Sequence, residues 1–292
     1  MAVFEGSGVA VITPFCENGI DFGAFEKLIE RQIRGKTDAI IVCGTTGEAS
    51  TMSAEEKRAA IEFTVKQVNG RVPVIAGTGG NNTANVIRDS KAAEEAGADA
   101  LLIVTPYYNK TTQAGLVAHY AAIATAVFLP IIVYNVPGRT GLNLLPATMQ
   151  KLTANKNIVG IKEASGNIEQ IVNLAALCPD LDIYSGNDDH VLPLLVLGAK
   201  GVISTIANVI PEDMHELCAA FFRGDIETAR ALQFKVLPIW KAAFSEVNPI
   251  PIKTMCAMLG WCEGTLRLPL CPPSDANRAL MEATLKNYGL LS

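Results

Sequence analysis

Only three histidines occur among 292 residues, and the seven cysteines, at 16, 43, 178, 218, 256, 262 and 271, form no C-x-x-C pair. A zinc site needs closely spaced Cys and His, and a disulfide framework needs an even set of cysteines in a small chain, so neither is expected. The thiols read instead as reduced, mostly buried small hydrophobes. A surplus of basic charge is missing as well. With 24 Lys and Arg against 29 Asp and Glu the net charge is −5, which offers a polyanion nothing to bind and excludes nucleic acid as a partner. Long apolar runs are also absent. The longest, Ala121 to Tyr134, is divided by Pro130 and falls short of the roughly 20 residues that cross a bilayer, so no membrane association is expected. The opening residues, Met1-Ala2-Val3-Phe4-Glu5-Gly6, show neither the charged nor the apolar region of a secretory signal, which makes the cytoplasm the expected location.

What is present is the material for a large core. Hydrophobic residues make up 49% and charged residues 18%, a globular balance and not a disordered one. Eight short Val- and Ile-rich runs recur: Gly8–Ile12, Ala39–Val42, Val72–Ala76, Leu101–Val104, Ile131–Tyr134, Ile158–Ile161, Leu181–Tyr184 and Gly201–Ser204. Their continuous apolar character marks strands covered on both faces, as in a parallel sheet. Helix-period segments lie between them. Phe22, Phe25, Leu28, Ile29 and Ile33 share one stripe, Ser53-x-x-Glu56 is a capping box, and Gly70 and Gly97 stand where helices end. Eight such units over this length predict an α/β fold, a closed (β/α)8 barrel, with a doubly wound open sheet as the rival. Beyond the eighth strand only helices are expected, about 212–223, 225–245 with a kink at Pro238, 251–260 and 274–289. The domain reading is a barrel over 1–224 followed by a helical appendage over 225–292, packed on the barrel or on a neighbouring subunit.

In a barrel of this kind chemistry belongs at the C-terminal ends of the strands. Lys162 directly continues the sixth run, and burial there lowers an amine's pKa and makes it a candidate imine-forming nucleophile; the plainer alternative is a structural pair with Glu163 or another rim carboxylate. Tyr134 ends the fifth run, next to the sixth in a barrel, so its phenol could pass protons to and from Lys162 or simply cap the core. Arg139, on a Pro-Gly turn, suits a bidentate grip on a carboxylate, although solvated surface arginines are commoner. Gly44-Thr45-Thr46-Gly47-Glu48, after the second run, offers backbone N–H groups and two hydroxyls to an anion, a weak signal alone and not a Walker loop. Thr105-Pro106-Tyr107-Tyr108-Asn109, after the fourth, fits a subunit interface as well as chemistry. Gly77-Thr78-Gly79-Gly80-Asn81 reads as a turn.

Taken in order, these segments resemble the pyruvate-dependent class I aldolase and lyase superfamily. The likeness runs from Gly8–Phe15 through Asn248-Pro249-Ile250-Pro251-Ile252-Lys253 to Leu266-Arg267-Leu268-Pro269, nearly the whole chain. G-T-T-G-E and the Ile161-Lys162-Glu163-Ala164-Ser165 segment point to the superfamily. Thr105–Asn109 and Tyr134-Asn135-Val136-Pro137-Gly138-Arg139-Thr140-Gly141 point to its dihydrodipicolinate synthase branch, because the sialate lyase branch lacks that arginine. The resemblance implies condensation of pyruvate, held as a Lys162 Schiff base and enamine, with L-aspartate 4-semialdehyde in the diaminopimelate route to lysine. It implies a proton relay of Tyr134, Thr45 and Tyr108, with Tyr108 reaching the neighbouring subunit's site in a homotetramer built as a dimer of dimers. It places Thr46, the Ile203 carbonyl and Gly186 around pyruvate and Arg139 on the semialdehyde carboxylate, and it implies neither metal nor organic cofactor. A lyase for a sugar-derived keto acid would share Lys162, Tyr134 and G-T-T-G-E. A barrel that only binds ligand would not need the whole relay. Relatives inhibited by L-lysine bind it in a pocket that maps onto Ala49, Ser50, Ala54, Lys57, Asn81, Asn85 and Tyr107. Asn85 stands where they carry a glutamate and Ala54 where they carry a histidine, so weak or absent inhibition is expected.

Overall fold

The computed structural model describes residues 2–292. Eight parallel strands close into a barrel: β1 (Gly6–Ala10), β2 (Ala39–Val42), β3 (Val74–Gly77), β4 (Ala100–Val104), β5 (Ile131–Asn135), β6 (Ile158–Glu163), β7 (Asp182–Ser185) and β8 (Gly201–Ser204). Each strand pairs with the next in sequence, and β8 pairs with β1, so the open-sheet rival is ruled out. Helices cover the outside: α1 (Phe22–Arg34), α2 (Ala54–Val68), α3 (Thr83–Glu95), α4 (Gln113–Ala126), α5 (Pro146–Leu152), α6 (Ile168–Leu177), α7 (Val191–Val196) and α8 (Pro211–Phe222). The helical extension contributes α9 (Ile226–Ala243), α10 (Ile250–Met258) and α11 (Asp275–Asn287).

Two apolar layers hold this together. The larger lies between strands and helices, where β-branched residues such as Ile40, Val42, Val74 and Val202 meet Leu28, Ile61, Leu116 and Leu217. The smaller fills the barrel itself with Ala10, Ile41, Ile75, Leu102, Ile132, Tyr134, Tyr184 and Ile203 among others. Alternate residues of every strand thus enter one layer or the other, which is why the runs look continuously apolar. Phe4 and Tyr184 stack at 4.4 Å, and the Tyr184 hydroxyl donates to the Phe4 carbonyl at 2.8 Å, closing the floor.

Several boundaries differ from the sequence reading. The first strand occupies Gly6–Ala10 rather than 8–12 because beyond Ala10 a side chain replaces the ladder: Asn208 Oδ1 accepts from Ile12 N at 3.0 Å and Nδ2 donates to Ala10 O at 2.8 Å. The third begins at Val74, since Pro73 has no N–H to give, although its carbonyl accepts from Ile40. Pro238 lies inside one continuous helix. The capping box at Ser53 and Glu56 is present in both directions. All seven thiols are free, with Cys43, Cys178, Cys218 and Cys256 buried. No helix among the described residues is long and apolar enough to cross a membrane.

Candidate active site

The rim chemistry depends on one register shift. Between β5 and β6 the pairing runs Ile131 with Ile158 and then Ile132 with Gly160, so β6 carries an extra residue at Val159. Without it, Tyr134 would lie opposite Ile161 and Lys162 would fall one step out of phase. With it, Tyr134 and Lys162 are direct partners and both enter the barrel. Lys162 is 6% exposed and Tyr134 7%, and the amine lies 4.5 Å from the phenol ring centre. The next residues, Asn135 and Glu163, therefore face outward. Asn135 Nδ2 donates to Glu163 Oε2 at 3.1 Å, and Ser165 N donates to Oε1 at 2.6 Å. Glu163 is thus committed to the outer layer, and the Lys162–Glu163 ion pair considered from the sequence does not form.

Burial lowers the Lys162 amine to about 8, with Asp188 opposing that shift and Arg139 adding to it. Asp188 was not singled out from the sequence. It is 1% exposed, accepts from Thr205 N at 3.1 Å and Ile206 N at 3.3 Å, and leaves Oδ1 without a partner; burial pushes its carboxyl up to about 6. Burial raises the Tyr134 phenol, partly offset by Arg139 and Thr45. A neutral amine beside a protonated phenol is a nucleophile with an acid within reach.

These groups open into a recess of about 70 Å³ lined by Thr45, Thr46, Tyr134, Arg139, Lys162, Gly186 and Asn248 among others. Gly186 is needed for space, since a Cβ there would fall 2.6 Å from Ala164 Cβ and 3.2 Å from Lys162 Cε. A second chamber of about 350 Å³ adjoins, sharing Gly44, Thr45, Leu102, Tyr134, Val136 and Arg139 and continuing to Ala49, Ser50, Lys57 and Tyr107. Arg139 sits on a short helix, Pro137–Thr140, rather than a simple turn, and donates to Asn248 O at 3.1 Å. Asn248 Nδ2 donates to Thr46 Oγ1 at 3.0 Å.

Two expected residues lie apart. Ile203 is fully buried in the inner layer and is not among the recess-lining residues, so any role falls to its backbone. Tyr108 is 90% exposed with φ 67° and lies outside both chambers, while Tyr107 lines the outer one. Asn248 and Lys253 belong to the Asn-Pro-Ile-Pro-Ile-Lys segment, which entered the resemblance without a role; their partners lie about 200 residues away, beyond any local pattern.

Relatives agree with this geometry along the full chain. The dihydrodipicolinate synthetase family model matches residues 3–288. The protein named 4-hydroxy-tetrahydrodipicolinate synthase of Thermoanaerobacter sp. strain X514 is 55% identical over 100% of this chain and 99% of its own. Its namesake numbered 1 in Clostridium acetobutylicum is 52% identical, covering 100% of both. A crystal structure of dihydrodipicolinate synthase from Thermotoga maritima superposes with a TM-score of 0.97 at 44% identity, over 99% of this chain and 100% of that one. With its barrel, its buried Lys162–Tyr134 pair and these full-length matches, the chain belongs to the dihydrodipicolinate synthetase family.

Proposed function

We propose that the protein is a Schiff-base-forming lyase, a 4-hydroxy-tetrahydrodipicolinate synthase that condenses pyruvate with L-aspartate 4-semialdehyde in lysine biosynthesis. The observation that carries this reading is the buried Lys162 amine, lowered to about 8, facing Tyr134 in a small recess. Lys162 Nζ attacks the keto carbon of pyruvate, and water leaves to give the imine. The imine draws electrons from the neighbouring methyl group, which loses a proton and becomes an enamine carbon. That carbon attacks the aldehyde, and the aldehyde oxygen takes up a proton to become the hydroxyl. The semialdehyde's amino group then adds to the imine carbon, closes the ring and releases Lys162.

Each step moves protons, and Tyr134 and Thr45 at the recess are the assigned carriers. Tyr108 is the third, presented outward for the site of a neighbouring subunit; its exposure supports this, since a phenol held in solvent does nothing for its own recess. Thr46, Gly186 and the Ile203 carbonyl hold the pyruvate end. The Arg139 guanidinium, between recess and chamber, takes the semialdehyde carboxylate. A homotetramer, two tight dimers joined, fits the apolar side chains left on outer helices: Ile168 and Val172 on one stripe of α6, Val196 at the end of α7 and Phe234 on α9. We divide the chain into a barrel at 1–224 and a helical domain at 225–292, and assign it to the cytoplasm.

Borohydride reduction with pyruvate tests the reading. It should inactivate the protein and leave one three-carbon adduct, on Lys162 by peptide mass mapping. Turnover with L-aspartate 4-semialdehyde and not with N-acetylmannosamine should accompany it. An adduct on another lysine with Lys162 unmodified refutes the mechanism.

A further inference from the structure

Glu48 ends the Gly44-Thr45-Thr46-Gly47-Glu48 loop, and its side chain has no access to solvent. Its Oε1 lies 2.6 Å from the equally sealed amine of Lys253, and its Oε2 accepts from the Arg267 backbone N–H at 3.2 Å. The Lys253 amine also lies 4.1 Å from the centre of the Phe15 ring, and the Arg267 guanidinium lies 4.0 Å from that same centre. The other ion pairs among the described residues keep at least 19% of each side chain exposed, so this pair stands alone. Desolvating two charges generally leaves a buried pair no more stable than an apolar pair of the same volume. Stability therefore does not account for it, and geometry does.

The pair joins the β2 rim loop to a helix 205 residues later. Glu48 is held at φ 56°, a left-handed conformation uncommon outside glycine, and its N–H donates to Thr45 O at 3.0 Å. Gly47 O accepts from Thr13 Oγ1 at 2.8 Å. Asn248, just before α10, donates to Thr46 Oγ1 and accepts from Arg139. The two threonines are thus held between contacts from one C-terminal segment. We propose that Glu48 and Lys253 form a positioning pair that sets Thr45 and Thr46 against Lys162 and Tyr134, so the C-terminal helices complete the catalytic geometry. The inference rests on Lys162 being the imine-forming residue.

Two variants test it beside the wild type. Glu48→Asp keeps both charges but draws the loop by about one methylene. The double variant Glu48→Gln/Lys253→Met removes both charges at nearly constant volume and strands neither. Melting temperature, kcat, KM for pyruvate and the rate of borohydride labelling are measured well below melting. We expect both variants to fold and still label Lys162, with kcat lowered roughly 10–10²-fold, the sensitivity typical of an ångström-scale displacement. Folded variants with wild-type kcat and KM overturn the proposal, as does failure of both to fold, which would make the pair a folding element. If only one folds, its kcat decides. A wild type that does not label on Lys162 refutes the imine reading itself, a distinct result.

Discussion

At the scale of single residues, the chemistry turns on the state of the Lys162 amine. An unshifted lysine is neutral in about one molecule in three thousand at pH 7, whereas a group at about 8 is neutral in roughly one in ten. Between about 8 and the ordinary lysine range the unfolded chain holds a proton that the folded one lacks. Folded stability therefore rises with pH through that window, and below it the buried, charged ammonium disfavours the fold. The rate of pyruvate-dependent borohydride labelling should accordingly rise with pH and level off above an inflection near 8. A rate still rising steeply past pH 10 would show that the amine is not desolvated as described. Arg139 makes a separable prediction because it borders both spaces while Lys162 lines only the inner one. Arg139→Ala should leave labelling at Lys162 largely intact and weaken use of the semialdehyde by about one to two decades, the worth of a charge-assisted contact at about 1.5–3 kcal/mol. Steady-state KM for each substrate, set beside the labelling rate, checks this. Equal loss of both would place Arg139 in the fold.

At the scale of elements, the sequence was legible wherever the information is local. All eight strands appear near their expected places because two covered faces leave short runs of Val and Ile, spaced regularly between helix-period segments. The Ser53–Glu56 capping box could be read directly, since both bonds lie within four residues. Lys162 and Tyr134 were legible as strand-end residues, and barrel order made their strands neighbours. Their exact opposition was not legible, because it depends on the extra residue at Val159, and one residue of slip reverses every side chain beyond it. Glu163 stayed open as a partner for Lys162 because the expected run ended at Ile161; the strand continues through Glu163, and alternation along it puts Glu163 on the face opposite Lys162. Asp188 escaped notice because its neighbours in the chain, Asn187 and Asp189, suggest only a polar turn; its burial comes from β8 and the Thr205–Ile206 amides. Asn248 and Lys253 follow the same rule, being defined by contacts that no window along the chain contains.

At the scale of the whole molecule, the outer chamber runs from Thr45 and Arg139 at the catalytic recess to Ala49, Ser50, Lys57 and Tyr107. Of the positions to which the resemblance assigns L-lysine in inhibited relatives, these four line the chamber, while Ala54, Asn81 and Asn85 do not. The effector's ammonium needs a carboxylate, because burying it unpaired is costly. Here the candidates are all engaged. Asn85 is a neutral amide whose Oδ1 already accepts from Arg88 at 3.1 Å. Asp89 is shared between Lys57 at 3.0 Å and Arg88 at 2.8 Å. Glu48 is sealed against Lys253, and Glu55 accepts from the Ser53 hydroxyl at 2.8 Å. Lys57 and Arg88 meanwhile add positive charge where a cation would have to shed water. Initial rates at saturating substrates should therefore fall by less than half at ~10 mM L-lysine, and half-inhibition below about 1 mM, near −4.1 kcal/mol of binding, would overturn the argument. The measurement belongs to the assembled protein, because a tight dimer would bring a second copy of the chamber alongside the first. If inhibition did appear, Asp89→Asn would separate the two sources of a carboxylate: loss of inhibition would assign it to Asp89 released from its arginine, and retention would assign it to another residue, in this chain or its neighbour.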